Sequence, residues 1–555
     1  MVGNGTPARV DYIRRRIKIT TKIVNKQNIK LLALSMLLAF PTVVHAQFTF
    51  TTNSGTITIT RYTGTGGAVT IPDTTNGYPV TSIGSGAFVC CISLTSLTIP
   101  YSITNIGNSA FYFCSGLMAI TVDANNSVFS SVDGVLINKS KATLIQYPMG
   151  KAGSYTIPGS VANIGAYAFQ FCYSLTGVMI PDNVTNIESC AFESCTNLTS
   201  VAIGNAVTSI GQSAFNSCTK LVSVTIGNSV ANIGSSAFSS CPSLTNITIP
   251  NSVITIGSYA FNPCTNLTNL TIGNGVSFIG SDAFAHCISL TSVTIPDSVT
   301  DVGFQAFFEC ASLTNVTIGN GVTSIDDEAF CGCTNLSSIK LGKSVANIGS
   351  SVFYSCSSLA NVTIPNSVTS IGYEAFCKCA SLTSITIPNG ITSIGGGEFQ
   401  YCTRLTAAII GNSVTNIWDN EFYGCTSLAG VYFTGNAPTP TNNFSVFFND
   451  NNATVYYLPG TTGWGSTFDG RPTVLWFLPN PTILDFEPNF GVRTNRFGFT
   501  ISWATNISVV VETCTNFSNP VWQPVQTNTL TTGSAYFSDP DWTNYPGRFY
   551  RLRSP

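Results

Sequence analysis

Charge is scarce in this chain. Of 555 residues only 9% are Asp, Glu, Lys or Arg, and there are two histidines, His45 and His286. His45 lies in an N-terminal segment expected to be removed, so one imidazole remains. One imidazole cannot build a Ser-His-Asp set together with any other His-based centre, and no Cys-His pair or His-based zinc site can be read from the spacing. His286 stands at a position that Ser fills in other units (Ser217, Ser240), so it reads as a solvent-facing variant. No G-x-G-x-x-G phosphate loop occurs, since the glycines recur as corners and are not grouped in that pattern. No basic stripe marks a nucleic-acid binder. After residue 46 no apolar run reaches the roughly 20 residues that a membrane span needs. The densest acidic cluster, Asp326, Asp327 and Glu328, reads as a solvated loop, with a carboxylate pair or a weak calcium site as its alternatives. The expectation is therefore no enzyme, no cofactor, no metal, no nucleic-acid partner and no membrane span in the mature chain.

Residues 1–46 read as an export signal. Arg14, Arg15, Arg16, Lys18, Lys22, Lys26 and Lys30 precede the apolar run LLALSMLLAFPTVV, and Val44-His45-Ala46 offers a cleavage site after Ala46. A membrane anchor is the alternative, but residues 31–44 are short for one. Residues 1–46 hold 8 Lys+Arg and 1 Asp+Glu, so their removal leaves 15 basic and 24 acidic side chains, a net charge of −9. Such a chain has no field to steer it onto DNA or anionic lipid.

What the chain has in abundance is one 23-residue unit. Phe stands at 169, 192, 215, 238, 261, 284, 307, 330, 353, 376, 399 and 422, and Phe88 and Phe111 belong to the same series, which gives fourteen units. Cys follows each Phe by three residues and Leu by six. Relative to Phe, apolar residues recur at −8, −5, +6, +9 and +11, as in Val276, Ile279, Leu290, Val293 and Ile295 around Phe284. A fixed period of this length marks a solenoid whose units stack on their neighbours alone. Positions +6 to +11 read L-x-x-V-x-I, a leucine-rich-repeat strand, with +9 and +11 inward. Pro or Gly at +12 (Pro250, Gly273, Pro296, Gly319) ends that strand, and Gly at −4 (Gly234, Gly257, Gly280) suits a second corner. The stretch around Ala-Phe suggests a single helical or 3₁₀ turn. The fold class is thus a mostly-β repeat solenoid, a leucine-rich-repeat stack of fourteen 23-residue units with a parallel strand ladder, roughly 65 Å long at the strand spacing of a sheet.

The Cys column, Cys195 to Cys425, occupies equivalent inward positions, where Cys behaves as a small hydrophobe. Rung-to-rung disulfides are the alternative, although equivalent rungs point their Cβ atoms in parallel. Cys331/Cys333 and Cys377/Cys379 are spaced C-x-C but lie two rungs apart without His partners, which argues against zinc. The whole unit, I-P-x-S-V-T-x-I-G-x-x-A-F-x-x-C-x-x-L-T-x-V-T, resembles the BspA-like leucine-rich repeat of bacterial and protist surface proteins, over residues 80–433. The resemblance implies a secreted or surface-displayed recognition protein, often an adhesin, and leaves the ligand open.

Around the repeat, residues 47–79 alternate as a hairpin cap, FTFTTNSGTITITRY. Residues 123–157 interrupt the period with a hairpin insertion holding Lys139, Lys141 and Lys151. The period fails from Thr434, so residues 434–478 read as a C-terminal cap and linker, and residues 479–555 as a small β-sandwich of alternating aromatic-rich strands. The latter resembles terminal modules that hold secreted bacterial proteins at the surface.

One face stands out as a candidate for binding. Positions +8 and +10 pair Ser223 with Thr225, Asn246 with Thr248, Asn269 with Thr271, Ser292 with Thr294, Asn315 with Thr317, Asn361 with Thr363 and Ser384 with Thr386. Lys340, beside Ser338, is the one exception to Thr. The face is uncharged and hydroxyl-rich, which suits a carbohydrate or an extracellular protein. The same pattern would arise if Thr were kept for its strand preference in recently duplicated units. The functional expectation is adhesion or recognition outside the cell, with a spacer or matrix rod as the alternative.

Overall fold

The computed structural model describes residues 47–555 except 441–444, 451, 495, 519, 554 and 555. The signal-peptide reading of residues 1–46 lies outside the described residues. The described residues wind into a β-solenoid of about 17 turns with almost no helix. Each rung is built around its Phe. Val or Ile at −8 and −5, Ala at −1, Phe, Cys at +3, Leu at +6 and apolar residues at +9 and +11 point into one core. In the unit of Phe284, Val276, Ile279, Ala283, Phe284, Cys287, Leu290 and Ile295 are fully buried.

The Phe column forms a continuous stack. Centroids of successive rings from Phe169 to Phe422 lie between 4.5 and 5.9 Å apart. Phe215 and Phe238 are parallel within 1°. Such pairs add roughly 0.5–1.5 kcal/mol each beyond the burial of ring area.

Two ladders clad this core. The +8 to +11 strands pair in parallel and in register, Asn246↔Asn269 and Thr248↔Thr271 for example. A second ladder, unread in the sequence, is made of two-residue strands at −6 and −5 such as Asn232–Ile233, Thr255–Ile256 and Phe278–Ile279. Ten such strands, ending at Ser370–Ile371, join three longer strands from residues 129–146 in the longest sheet among the described residues, thirteen strands in all. The stretch around Ala-Phe is neither helical nor 3₁₀. It is a run of tight turns in which residues −2 and +2 take left-handed backbone angles, Ser236 at φ 56° and Ser240 at φ 55° for instance. That geometry turns alternate N–H groups along the solenoid axis. Ser213, Phe215 and Ser217 donate to the carbonyls of Ser235, Ala237 and Ser239 of the next rung at 2.9, 2.7 and 2.8 Å. A helix would have used those groups internally, leaving the rungs unjoined on this side.

The interruption and the C-terminal end of the stack differ from the simple reading. Within residues 123–157, Phe129–Val132, Val135–Asn138 and Thr143–Gln146 form an antiparallel meander, and the last of these joins the long sheet in parallel. Tyr147 there enters the Phe column, 4.8 Å from Phe169. Beyond Thr434 the stack continues. Thr454–Tyr457 pairs in parallel with Gly430–Phe433, Arg471–Leu475 follows, and Phe447 stacks on Phe422 at 5.8 Å. At the other end the hairpin of Phe48–Asn53 and Thr56–Tyr62 covers the first rung, with Tyr62 stacked on Phe88. In the last part of the chain two sheets enclose Phe499, Ile501, Val509, Val511, Leu530 and Phe537.

Candidate functional site

The +8 and +10 side chains share one side of the parallel ladder because strand residues two apart point the same way. Ser223, Thr225, Asn246, Thr248, Asn269, Thr271, Ser292, Thr294, Asn315, Asn361, Thr363, Ser384 and Thr386 are exposed, and Thr317 is half-buried. The structure therefore brings every one of the candidate residues onto a common face. The face carries no acid, and Lys340, paired with Thr317, is its one base among these columns.

Hydrogen bonding sorts the polar columns into two kinds. Hydroxyls flanking the strands are consumed by the fold: Thr268 Oγ1 donates to Thr245 O at 3.1 Å, and Thr314 Oγ1 to Thr291 O at 3.0 Å. At +8, asparagines brace one another and those hydroxyls. Asn269 Nδ2 donates to Asn246 Oδ1 at 2.6 Å, and Asn315 Nδ2 to Thr314 Oγ1 at 3.0 Å. The +10 hydroxyls of Thr248, Thr271 and Thr294 have no such partner among the described residues, so they are open to a ligand.

Next to the +10 column the chain turns at Pro or Gly, and the corner makes shallow grooves. One of about 490 Å³ is lined by Thr294, Pro296, Asp297, Thr317, Asn320 and Lys340. Another of about 330 Å³ lies against Thr225, Asp182, Asn205 and Asn228. Their floor is an Asx ladder at +13: Asn205 N–H donates to Asp182 Oδ1 at 2.7 Å and Asn320 N–H to Asp297 Oδ1 at 2.6 Å. The Asn or Asp that follows the Pro or Gly in most units carries this signal in the sequence.

The Cys column does more than fill space. Each thiol reaches back to the carbonyl of the preceding rung's Phe, Cys241 Sγ to Phe215 O at 3.3 Å and Cys264 Sγ to Phe238 O at 3.3 Å. All the cysteines are free thiols. Burial pushes Cys241 and Cys287 up to about 12, which keeps the proton on sulfur and the thiol a donor.

The remaining chemistry-bearing residues are tied into rung contacts. His286 Nδ1 faces Glu309 Oε2 at 3.2 Å, with φ 57° at the left-handed +2 position. Asp327 Oδ1 accepts the Ser350 N–H at 2.6 Å, and Glu328 accepts Gln305 Nε2 at 2.7 Å. Burial raises the Asp326 carboxyl, while a hydrogen bond from Ser324 opposes the rise. Among the described residues no group of three or more His, Cys, Asp or Glu is placed to hold a metal ion. No helix among them is long and apolar enough to cross a membrane.

Residues 47–151, 146–268, 254–379, 300–429 and 346–460 match the BspA type leucine-rich repeat region. No curated protein matches the chain. Among solved structures, a leucine-rich repeat protein from Bacteroides ovatus is 26% identical, with 66% of this chain and 94% of that one covered, at a TM-score of 0.45. A leucine-rich cell surface protein from Faecalibacterium prausnitzii is 30% identical, covering 70% and 94%, at a TM-score of 0.36. The family match spans well over half of the chain and coincides with the rungs described above. The chain belongs to the BspA-type leucine-rich repeat family.

Proposed function

We propose that this protein is a secreted or cell-surface binding protein that recognises a carbohydrate or an extracellular protein through the +8 and +10 face of its strand ladder. The observation that carries this reading is the division of hydroxyls: flanking columns serve the backbone, whereas Thr248, Thr271 and Thr294 stand exposed and unengaged in one row. Rungs about 5 Å apart repeat this row with the spacing of a sheet. A neutral, regular partner matches it better than a charged one. The cell-surface description of the Faecalibacterium relative supports the location.

The test is an array of glycans and matrix proteins, followed by simultaneous Thr271→Lys, Thr294→Lys and Thr317→Lys. Three adjacent like charges oppose a neutral ligand and cost modest stability. Affinity for an array ligand should fall at least tenfold, while the same change at Ser235, Ser258 and Ser281, away from the face, leaves it within twofold. Equal binding by two folded variants would remove the face as the site. Absence of any ligand on the array would favour a spacer rod.

A further inference from the structure

Among the fourteen rungs of the Phe series, only one lacks all three of its rung-to-rung bonds on the Phe side among the described residues. In a regular rung the N–H groups at −2, 0 and +2 donate to carbonyls at −3, −1 and +1 of the next rung, as Ser213, Phe215 and Ser217 do. In the rung of Phe111 the equivalents are Ser109, Phe111 and Phe113. Their N–H groups find no acceptor among the described residues, although the carbonyls of Asn108, Ala110 and Tyr112 accept from the preceding rung as usual. The next rung, that of Tyr147, is reached only after the meander of residues 129–146 and diverges on this side. It stays close on the other: Gly150 N–H donates to Leu117 O at 2.7 Å, and a Cβ at Gly150 would lie 2.7 Å from Ser115 O. The two rungs thus open like a wedge.

The wedge is a cleft of about 430 Å³, lined among others by Phe111, Tyr112, Ile145, Met149, Ala166 and Tyr167. Its lining holds no Asp, Glu, Lys or Arg. Phe113 stacks on Phe171 at 4.6 Å and Tyr112 meets Phe171 edge-on at 5.3 Å, so aromatic rings border one side. The hydrophobic core is also divided here, one cluster including Phe111 and another including Tyr147 and Phe169.

We propose that this cleft binds an uncharged peptide segment in trans, whose alternate backbone carbonyls take the amides of Ser109, Phe111 and Phe113 as a following rung would. The rest of the solenoid shows what satisfies three such donors: carbonyls of every second residue in one polypeptide. The lining itself supplies no charged side chain, and the aromatic and Met walls offer a seat for an apolar side chain. Adding backbone to an unpaired row of amides is an established mode of peptide recognition. The site is separate from the strand face, so failure of either leaves the other standing.

The probe is a blocked nonapeptide copying residues 233–241, with Ser in place of Cys241, because its own carbonyls fill these positions inside the stack. Hydrogen exchange followed by mass spectrometry reads the outcome. In the free protein, residues 107–114 should exchange faster than the equivalent residues 211–218. Millimolar peptide should slow residues 107–114 at least threefold and leave 211–218 unchanged. Ala166→Trp, which fills the cleft from its exposed rim, should abolish that slowing with the melting temperature retained. If 107–114 is already as protected as 211–218, or the peptide slows nothing, or the Trp variant is slowed equally, the proposal fails. Slowing by an N-acetylglucosamine oligosaccharide instead of the peptide would overturn the peptide assignment.

Discussion

Phe261 sits fully buried between Phe238 and Phe284, with centroids at 5.3 and 5.1 Å. Phe261→Ala should destabilise the solenoid by about 3–5 kcal/mol, from lost burial and the cavity left in a stack that cannot close around it. An unchanged thermal transition would show that the Phe column is not the core. A second residue departs from the repeat. Position −1 is Ala in most units, but Glu398 and Glu421 occupy it in consecutive rungs and are almost wholly buried. Burial first, and then the charge of Glu398, raises the Glu421 carboxyl well above the ordinary range. A carboxyl raised in the folded state stabilises fully below its unfolded value of about 4.3, and that contribution is lost as pH rises through the folded one. Asp450, pushed up to about 7 by burial against the pull of Arg471, acts with the same sign. Stability should therefore fall from about pH 4.5 towards neutrality. Glu421→Gln should weaken this dependence and raise stability at pH 7. A urea-midpoint profile identical to the parent's would remove Glu421 from the account.

Whole columns behave as elements in this architecture. The thiols of Cys195 to Cys425 are buried and hydrogen-bonded to carbonyls, whereas Cys90 is exposed and Cys91, Cys190 and Cys331 are half-buried. Thiolate is the reactive form, and burial suppresses it along the column. A disulfide-exchange reagent should label the native protein slowly beyond its few accessible thiols, and should label the column at once in denaturant without reductant. A denatured, unreduced chain short of thiols would mean that rungs are cross-linked. The inward role of this column was legible from its spacing, but its bond to the preceding Phe carbonyl was not, since that depends on the left-handed turns at −2 and +2. Those positions hold Ser, Tyr, Asp, Gln and Glu rather than a run of Gly, so no turn signature announced them. The second ladder was hidden for another reason. Strands of two residues such as Asn232–Ile233 are too short to show an alternating pattern. The strand face at +8 and +10 was readable because four-residue strands alternate twice.

For the whole molecule, a rung contacts its neighbours alone, so stability is close to a sum of rungs and interfaces. Deleting residues 226–248, one full unit, should leave a folded solenoid with a single cooperative transition and its core register intact. Deleting twelve residues from the same place should unfold neighbouring rungs, because inward and outward columns no longer meet. Circular dichroism and melting of the two deletions distinguish these outcomes, and equal damage would contradict a modular stack. The extent of the stack was underestimated from sequence at both interruptions. Tyr147 continues the Phe column as a different aromatic 22 residues before Phe169, and Phe447 continues it 25 residues after Phe422. Neither fits a search for Phe at a step of 23. The cleft beside Phe111 was equally out of reach, since it follows from how the meander re-enters the stack.

The hydrogen bonds that join one turn to the next run along the axis of the coil, while the covalent chain runs around it. A tension applied to the ends would therefore meet those bonds one rung at a time, as a zipper is opened, and never all together. Each rung that lets go would release 23 residues, about 76–83 Å of extended chain at roughly 3.3–3.6 Å per residue, in exchange for about 5 Å of stack. A tether built this way lengthens in steps under load and absorbs work at each one, so a bond held at its far end is spared a sudden pull.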